Sequence, residues 1–255
     1  MRHIALNHAH NFRDLGGYPT SDGGQTRQGV VYRADALCRL DDADRQTLAA
    51  LGLCAVFDLR DEREVRDDGP DQLGDGVRVI ALPTNLVNRQ MFQQLMLRPN
   101  RFRMSQLYTG NFTERATYHA TLFRHLLDPA NRPAVIHCTA GKDRTGIAVA
   151  LLLRLAGVAD KDILADYAAT ARYMDPIAAA QRAKMRRLPL QLHEAVLAEM
   201  LSAREETLQI LLDHLDERFG SVEAYLAQGG LTSAEIDDLQ ACLVEPASEA
   251  GHLLL

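Results

Sequence analysis

The stretch Pro133-Ala134-Val135-Ile136-His137-Cys138-Thr139-Ala140-Gly141-Lys142-Asp143-Arg144-Thr145-Gly146-Ile147-Ala148 decides the fold. Ala134, Val135 and Ile136 form a short apolar, partly β-branched run, the pattern of a buried strand. His137 to Arg144 is polar and contains Gly141. From Arg144 to Leu155 the chain turns strongly apolar at helical spacing. Strand, tight loop and buried helix in that order aim backbone N–H groups and a helix N-terminus at one point, which favours an anion. Cys138 opens the loop and Arg144 closes it. A cysteine facing a helix N-terminus and a guanidinium is expected to ionise easily. The planar fork of Arg144 can hold two phosphate oxygens together, which a lysine cannot do. Thr145 is placed to donate to the Cys138 sulfur. The chemistry implied is attack of a thiolate on a phosphate monoester.

His-Cys, five residues, Arg, then Ser or Thr resembles the signature loop of the cysteine-dependent protein tyrosine phosphatase superfamily. The fuller run His137 to Gly146 looks most like the bacterial atypical tyrosine and phosphoinositide phosphatases, of the kind mycobacteria secrete. Asn11-Phe12-Arg13-Asp14-Leu15-Gly16-Gly17 resembles the motif that opens the domain in that branch. Read from its residues alone, the N-terminal motif is structural support with Phe12 and Leu15 buried. The resemblance implies an α/β fold, a central mostly parallel sheet flanked by helices, with additional C-terminal helices that form a lid or a permanent layer.

Composition agrees with one enzyme domain. The 255 residues are 47% hydrophobic and 24% charged, enough for a single large α/β domain, 1–255, with a helical part over about 161–245. Four cysteines (Cys38, Cys54, Cys138, Cys242) lie far apart with no CxxC pair, which argues against a disulfide framework or a zinc site. Only Cys138 has a reactive context; the others read as buried fillers. No metal and no cofactor are expected. A net charge of −6 argues against nucleic-acid binding. The N-terminus lacks a Sec-type apolar core, and no apolar run is long enough to span a bilayer. A reduced, cytoplasmic setting fits a free catalytic thiol, with secretion by another route left open.

Outside the loop, strands are read at Val30–Arg33, Leu53–Arg60 and Val77–Pro83. Helices are read at Asp41–Leu51, Thr117–Leu127, Lys161–Ala171 and Gln191–Phe219, with two more after Ser221. Asp61–Asp68 reads as a solvated charged turn or short helix. Residues 84–113 carry Arg98, Arg101 and Arg103 among Phe92, Phe102, Tyr108 and Phe112. That pattern is a ligand-gripping rim or a surface helix with aromatic anchors. A lid, if the resemblance holds, falls at 174–201, where Met174, Met185 and Met200 suit a sliding apolar face. Glu245–Leu255 reads as frayed.

Phosphoryl transfer through a cysteine needs an acid for the leaving oxygen and then a base for water. Relatives commonly carry an Asp on a loop roughly thirty residues before the Cys, within reach of the reacting atoms. Residues 98–127 contain no Asp, and their only carboxylate is Glu114. Asp143, inside the loop, is therefore the expected acid, or else it orders the loop through N–H groups; Asp58 and Glu114 are the reserves. Asp58 and Arg60 end a strand at the sheet edge where α/β proteins bind ligands, or they form an ion pair that fastens it. Lys142 adds positive charge that favours phosphate-rich substrates. His137 reads as a brace behind the sulfur.

The expectation is a phosphomonoesterase working through a phosphocysteine on phosphorylated proteins or phosphoinositides, with inorganic phosphate as product. Cys138, Arg144 and Asp143 carry the reaction, and Thr139, Ala140, Gly141, Lys142, Thr145, His137, Asp58 and Arg60 line the binding site. The rival readings are an arsenate-reducing or sulfur-transfer enzyme, or a phospholigand-binding module without turnover.

Overall fold

The computed structural model describes residues 2–86, 97, 99–110, 112–173, 175, 178–179, 182–183 and 193–247. Its strands are β1 (Arg13–Asp14), β2 (Gln25–Thr26), β3 (Val31–Ala34), β4 (Ala55–Asp58), β5 (Arg78–Ala81), β6 (Ala134–His137) and β7 (Val244–Glu245). Its principal helices are α1 (Asp42–Ala50), α2 (Glu62–Asp68), α3 (Met104–Thr109), α4 (Ala116–Leu127), α5 (Asp143–Leu155), α6 (Asp160–Ala169), α7 (Glu194–Leu201), α8 (Glu205–Phe219), α9 (Val222–Gln228) and α10 (Ser233–Leu243).

β6 sits at the centre of a five-stranded sheet of order β1-β3-β6-β4-β5. β3, β6, β4 and β5 run parallel, and β1 closes one edge antiparallel. Alternate strand residues face opposite layers. Tyr32, Ala34, Val56 and Val135 turn to a core completed by Phe12, Leu37, Leu40 and Leu48. Val31, Ala55, Phe57, Ala134 and Ile136 turn to a larger core shared with α4, α5 and the C-terminal helices. Burial on both faces explains why these strands are nearly continuous apolar runs. Registers Ala34↔His137 and Asp58↔His137 bring the carboxyl ends of β3, β6 and β4 level. The loop after β6 therefore emerges at the ligand-binding edge of a parallel sheet.

Four expectations need correction. The helix read as Gln191–Phe219 is two, α7 and α8, separated at Ser202–Arg204. Glu245, the first residue of the segment read as frayed, is paired: with Val244 it lies against Gln25 and Thr26 in a small second sheet, a two-residue pairing that carries no periodic signal. Phe102, Tyr108 and Phe112 are buried in the large core, which overturns the rim reading of that stretch and agrees with its alternative of aromatic anchors. Cys38, Cys54 and Cys242 are only half-buried. Phe92, Arg98, Met174 and Met185 lie outside the described residues, as does much of 174–201. Thr232 and Glu235 form a capping box at the start of α10.

Candidate active site

The loop backbone is oriented from behind. The carbonyl of Thr139 accepts from the Ala36 amide at 3.2 Å. Asn11 Nδ2 donates to the carbonyls of Ala140 (3.2 Å) and Gly141 (3.1 Å). Arg33 Nη2 adds a second donation to Gly141, at 2.6 Å. A trans peptide points its N–H opposite its C=O. Three successive carbonyls drawn backward therefore turn the amides of Ala140, Gly141 and Lys142 forward. These amides carry no hydrogen bond among the described residues. With the N-terminus of α5 they form a concavity of donors suited to an anion. Gly141 makes the turn at φ +62°, and a Cβ there would lie 2.3 Å from the Ala34 carbonyl oxygen. Only glycine fits.

Asn11 and Arg33 are themselves tied to a buried ion cluster. Asp166 on α6 accepts from Arg13 Nε at 3.2 Å and Tyr18 Oη at 2.9 Å, and it pairs with Arg33. Arg13 also donates to Asn11 Oδ1. Burial works to raise the Asp166 carboxyl, but Arg33 and Arg13 outweigh it and bring it down to about 2. Asp14 accepts from the amides of Gly16 and Gly29 and holds the N-terminal turn. The N-terminal motif thus touches the loop through Asn11 and Arg13. Asp166 was not legible beforehand, because nothing local marks a helix carboxylate as the counter-ion of residues more than a hundred positions away.

Arg144 closes the cradle. Its Nη1 and Nη2 each meet a carboxylate oxygen of Glu64 at 2.6 Å. Nη1 also donates to the carbonyls of Leu59 (3.1 Å) and Thr84 (3.3 Å). Nε has no partner among the described residues. Burial acts to lower the Arg144 pKa; Cys138, Glu64 and Asp143 override it and hold it above the ordinary value. Glu64 also accepts from Thr139 Oγ1 and from the Asp61 amide in the α2 capping box. Burial pushes its carboxyl up, yet Arg144 brings it down to about 2. The charged run Asp61–Asp68 is therefore not wholly solvated: one of its carboxylates turns inward onto Arg144.

Cys138 is buried at the loop entrance. Thr145 Oγ1 is buried without a hydrogen-bond partner among the described residues, so the expected donation to the sulfur is not made in this arrangement. His137 lies fully buried behind the loop, its Nε2 2.9 Å from Asp71 Oδ2. Arg60 binds Asp58 through Nε and Nη2 and reaches Asp71 Oδ1 at 2.8 Å. Asp58, Arg60, Asp71 and His137 form one hydrogen-bonded network beneath the cradle. Burial acts to raise Asp71, and His137 and Arg60 hold it below its usual range. Asp58, Asp71 and His137 are close enough to share a cation, but the Arg60 guanidinium already sits against both carboxylates at 2.8 Å. A second such group, His8, Asp41 and Asp44, lies at the start of α1, where Asp41 and Asp44 are engaged in the capping box.

Lys142 is 1% exposed at its side chain. Its ammonium donates to the carbonyls of Met200 and Ser202 (2.8 Å), at the end of α7, and stands 3.3 Å from Asp143 Oδ1. It thus reaches toward the α7 terminus, a favourable place for a cation. Leu201 packs against Ala140 beside it. Asp143 opens α5, and its side chain is 24% exposed. Tyr108 Oη donates to Asp143 Oδ1 at 2.6 Å. Glu114, the other reserve acid, lies in the short turn Thr113–Arg115 that leads into α4. Next to it, buried Arg115 holds the carbonyls of Asn85 and Leu86, beside the Thr84 carbonyl used by Arg144.

The sequence profile described as the tyrosine phosphatase family matches residues 4–245. The triple specificity protein phosphatase PtpB of Mycobacterium tuberculosis is 30% identical over 275 aligned positions, covering 92% of this chain and 97% of that one. A tyrosine-protein phosphatase of Nostoc commune is 30% identical, covering 83% of this chain and 73% of its own length. The crystal structure of TpbA from P. aeruginosa aligns at 17% identity with a TM-score of 0.35, over 69% of this chain and 90% of that one.

Proposed function

The chain belongs to the tyrosine phosphatase family, and from that premise we propose that it hydrolyses phosphate monoesters through a phosphocysteine on Cys138. The observation that carries this reading is the set of forward-facing amides at Ala140, Gly141 and Lys142, placed between the cysteine and the arginine of one loop.

The Cys138 sulfur attacks phosphorus in line with the departing ester oxygen. The S–P bond forms as the P–O bond breaks. The loop amides and the free Nε edge of Arg144 stabilise charge on the three equatorial oxygens. Asp143 delivers a proton to the leaving oxygen. Its carboxylate then takes a proton from water as that water attacks phosphorus, the S–P bond breaks, and inorganic phosphate departs. Asp58 and Arg60 serve the site from beneath: Arg60 binds Asp71, which in turn holds His137, and neither touches the ester. Lys142 ties the loop to α7.

The substrates are phosphotyrosine proteins, with phosphoserine/threonine proteins or phosphoinositides also accepted. The relative described as a triple specificity phosphatase supports a site that takes more than one ester class. A reducing, cytoplasmic setting is supported by four unpaired cysteines, one of them at the loop. No helix among the described residues is long and apolar enough to cross a membrane.

A panel tests this reading: a phosphotyrosine peptide, phosphoserine and phosphothreonine peptides, and phosphoinositide vesicles, each with excess chelator. Phosphate release from the phosphotyrosine peptide and at least one other class is expected. No release from any of them contradicts it.

A further inference from the structure

Asp143 is approached by charged and titratable groups from several elements. Lys142 and Arg144 flank it in sequence, and the Lys142 ammonium is 3.3 Å from Oδ1. Tyr108 arrives from α3 and donates to the same Oδ1 at 2.6 Å. Tyr167 arrives from α6, its hydroxyl 2.7 Å from that of Tyr108. Glu199 of α7 lies near enough to act on Tyr167. Both tyrosines are buried, Tyr108 completely, and their rings meet edge to face with centroids 6.3 Å apart. Tyr167 is further fixed against Gly146 of α5, where a Cβ would come within 2.9 Å of its ring.

We propose that Tyr108, oriented by Tyr167, is a positioning residue that fixes which oxygen of Asp143 carries the proton. A phenol has one hydrogen to donate. Tyr167 donates to Tyr108, and Tyr108 in turn donates to Oδ1. Oδ1 is thereby occupied as an acceptor by a phenol and faces an ammonium. The proton of a neutral Asp143 sits on Oδ2, which takes no hydrogen bond among the described residues. Oδ2 is then the oxygen that gives the proton to the leaving group and later removes one from water. The same donation fixes the carboxyl plane at the first position of a helix, where a freely rotating aspartate would spend most of its time misaligned. Burial, together with Asp143 and Tyr167, keeps Tyr108 well above the ordinary phenol range, so it stays a donor throughout the working pH.

The inference rests on Asp143 acting as the acid. It is tested by pH–rate profiles of the full chain with an alkyl phosphate, whose leaving group needs a proton, and p-nitrophenyl phosphate, whose leaving group scarcely does. Tyr108→Phe removes one oxygen and keeps the ring. On the alkyl phosphate it is expected to lower kcat about tenfold and to move the descending limb to higher pH, because a carboxylate that loses a donor binds its proton more tightly. With p-nitrophenyl phosphate kcat changes little. In an Asp143→Asn background, Tyr108→Phe should add nothing further. Tyr167→Phe should show the same pattern more weakly, and it carries the test if Tyr108→Phe folds poorly. An unchanged limb in both tyrosine variants, or an equal loss on both substrates that persists beside Asp143→Asn, overturns the inference and leaves the acid assignment standing. Retention of the limb in Asp143→Asn itself removes the acid assignment, and the role of Tyr108 with it.

Discussion

Glu64 and Arg144 face each other through two parallel contacts of 2.6 Å, although 80 positions separate them in sequence. The pair fixes the guanidinium plane before any ester arrives. It also leaves the Nε edge of the arginine to the ligand. Glu64→Gln keeps the shape and loses the charge. We expect it to lower kcat/KM by about ten- to a hundredfold, the size of a misaligned anion clamp, measured with p-nitrophenyl phosphate.

The same carboxylate makes stability depend on acid. Its folded value of about 2 lies below the ordinary 4.5. Its contribution is therefore complete above pH 4.5 and is lost as pH falls toward 2. Denaturant unfolding across that window should fall steeply for the wild type and less steeply for Glu64→Gln. Identical slopes would mean that the pair adds nothing to the fold.

Among the described residues, Asp166 is the carboxylate that pairs with both buried Arg13 and Arg33. Asp166→Asn leaves both guanidinium groups without a counter-ion in the interior. A loss of about 3–5 kcal/mol is expected in urea unfolding. Activity should fall as well, because Arg33 and Asn11 then hold Gly141 less firmly. Full activity at reduced stability would separate the ion cluster from the loop.

Gly141→Ala puts a methyl group 2.3 Å from the Ala34 carbonyl oxygen at a φ of +62°. The loop must open to admit it, and the three forward-facing amides lose their common aim. We expect loss of vanadate or phosphate binding together with loss of turnover, read by calorimetry and by assay. Unaltered binding would show that these amides do not form the anion site.

Much of the site could be read in the sequence because its chemistry is local. Cys138, Gly141, Asp143 and Arg144 fall within one strand–loop–helix unit, and the spacing alone states their relation. The mostly parallel sheet was implied by the resemblance, and the apolar runs Ala55–Phe57 and Ala134–Ile136 agree with strands covered on both faces. What stayed hidden were partners joined only by folding. Glu64 belongs to a dense charged run, and such a run does not say which member turns inward. Asp71 and Asp166 are ordinary acidic residues until Arg60, His137, Arg13 and Arg33 surround them. Lys142 reads in the sequence as a ligand contact, but its ammonium is directed to the end of α7, where the chain breaks between two helices that read as one. Tyr108 lay in a stretch without clear periodicity, and its hydroxyl gains meaning only from Asp143 and Tyr167.

The central claim is that phosphate passes through the sulfur of Cys138. It is tested most directly by acid-quenching the enzyme during turnover of p-nitrophenyl phosphate and mapping its peptides by mass spectrometry. The account predicts one added phosphoryl group on the peptide containing Cys138, absent without substrate, and a Cys138→Ser variant that binds phosphate but releases no nitrophenol. Steady turnover with no phosphoryl group on that peptide, or turnover by Cys138→Ser, would contradict it.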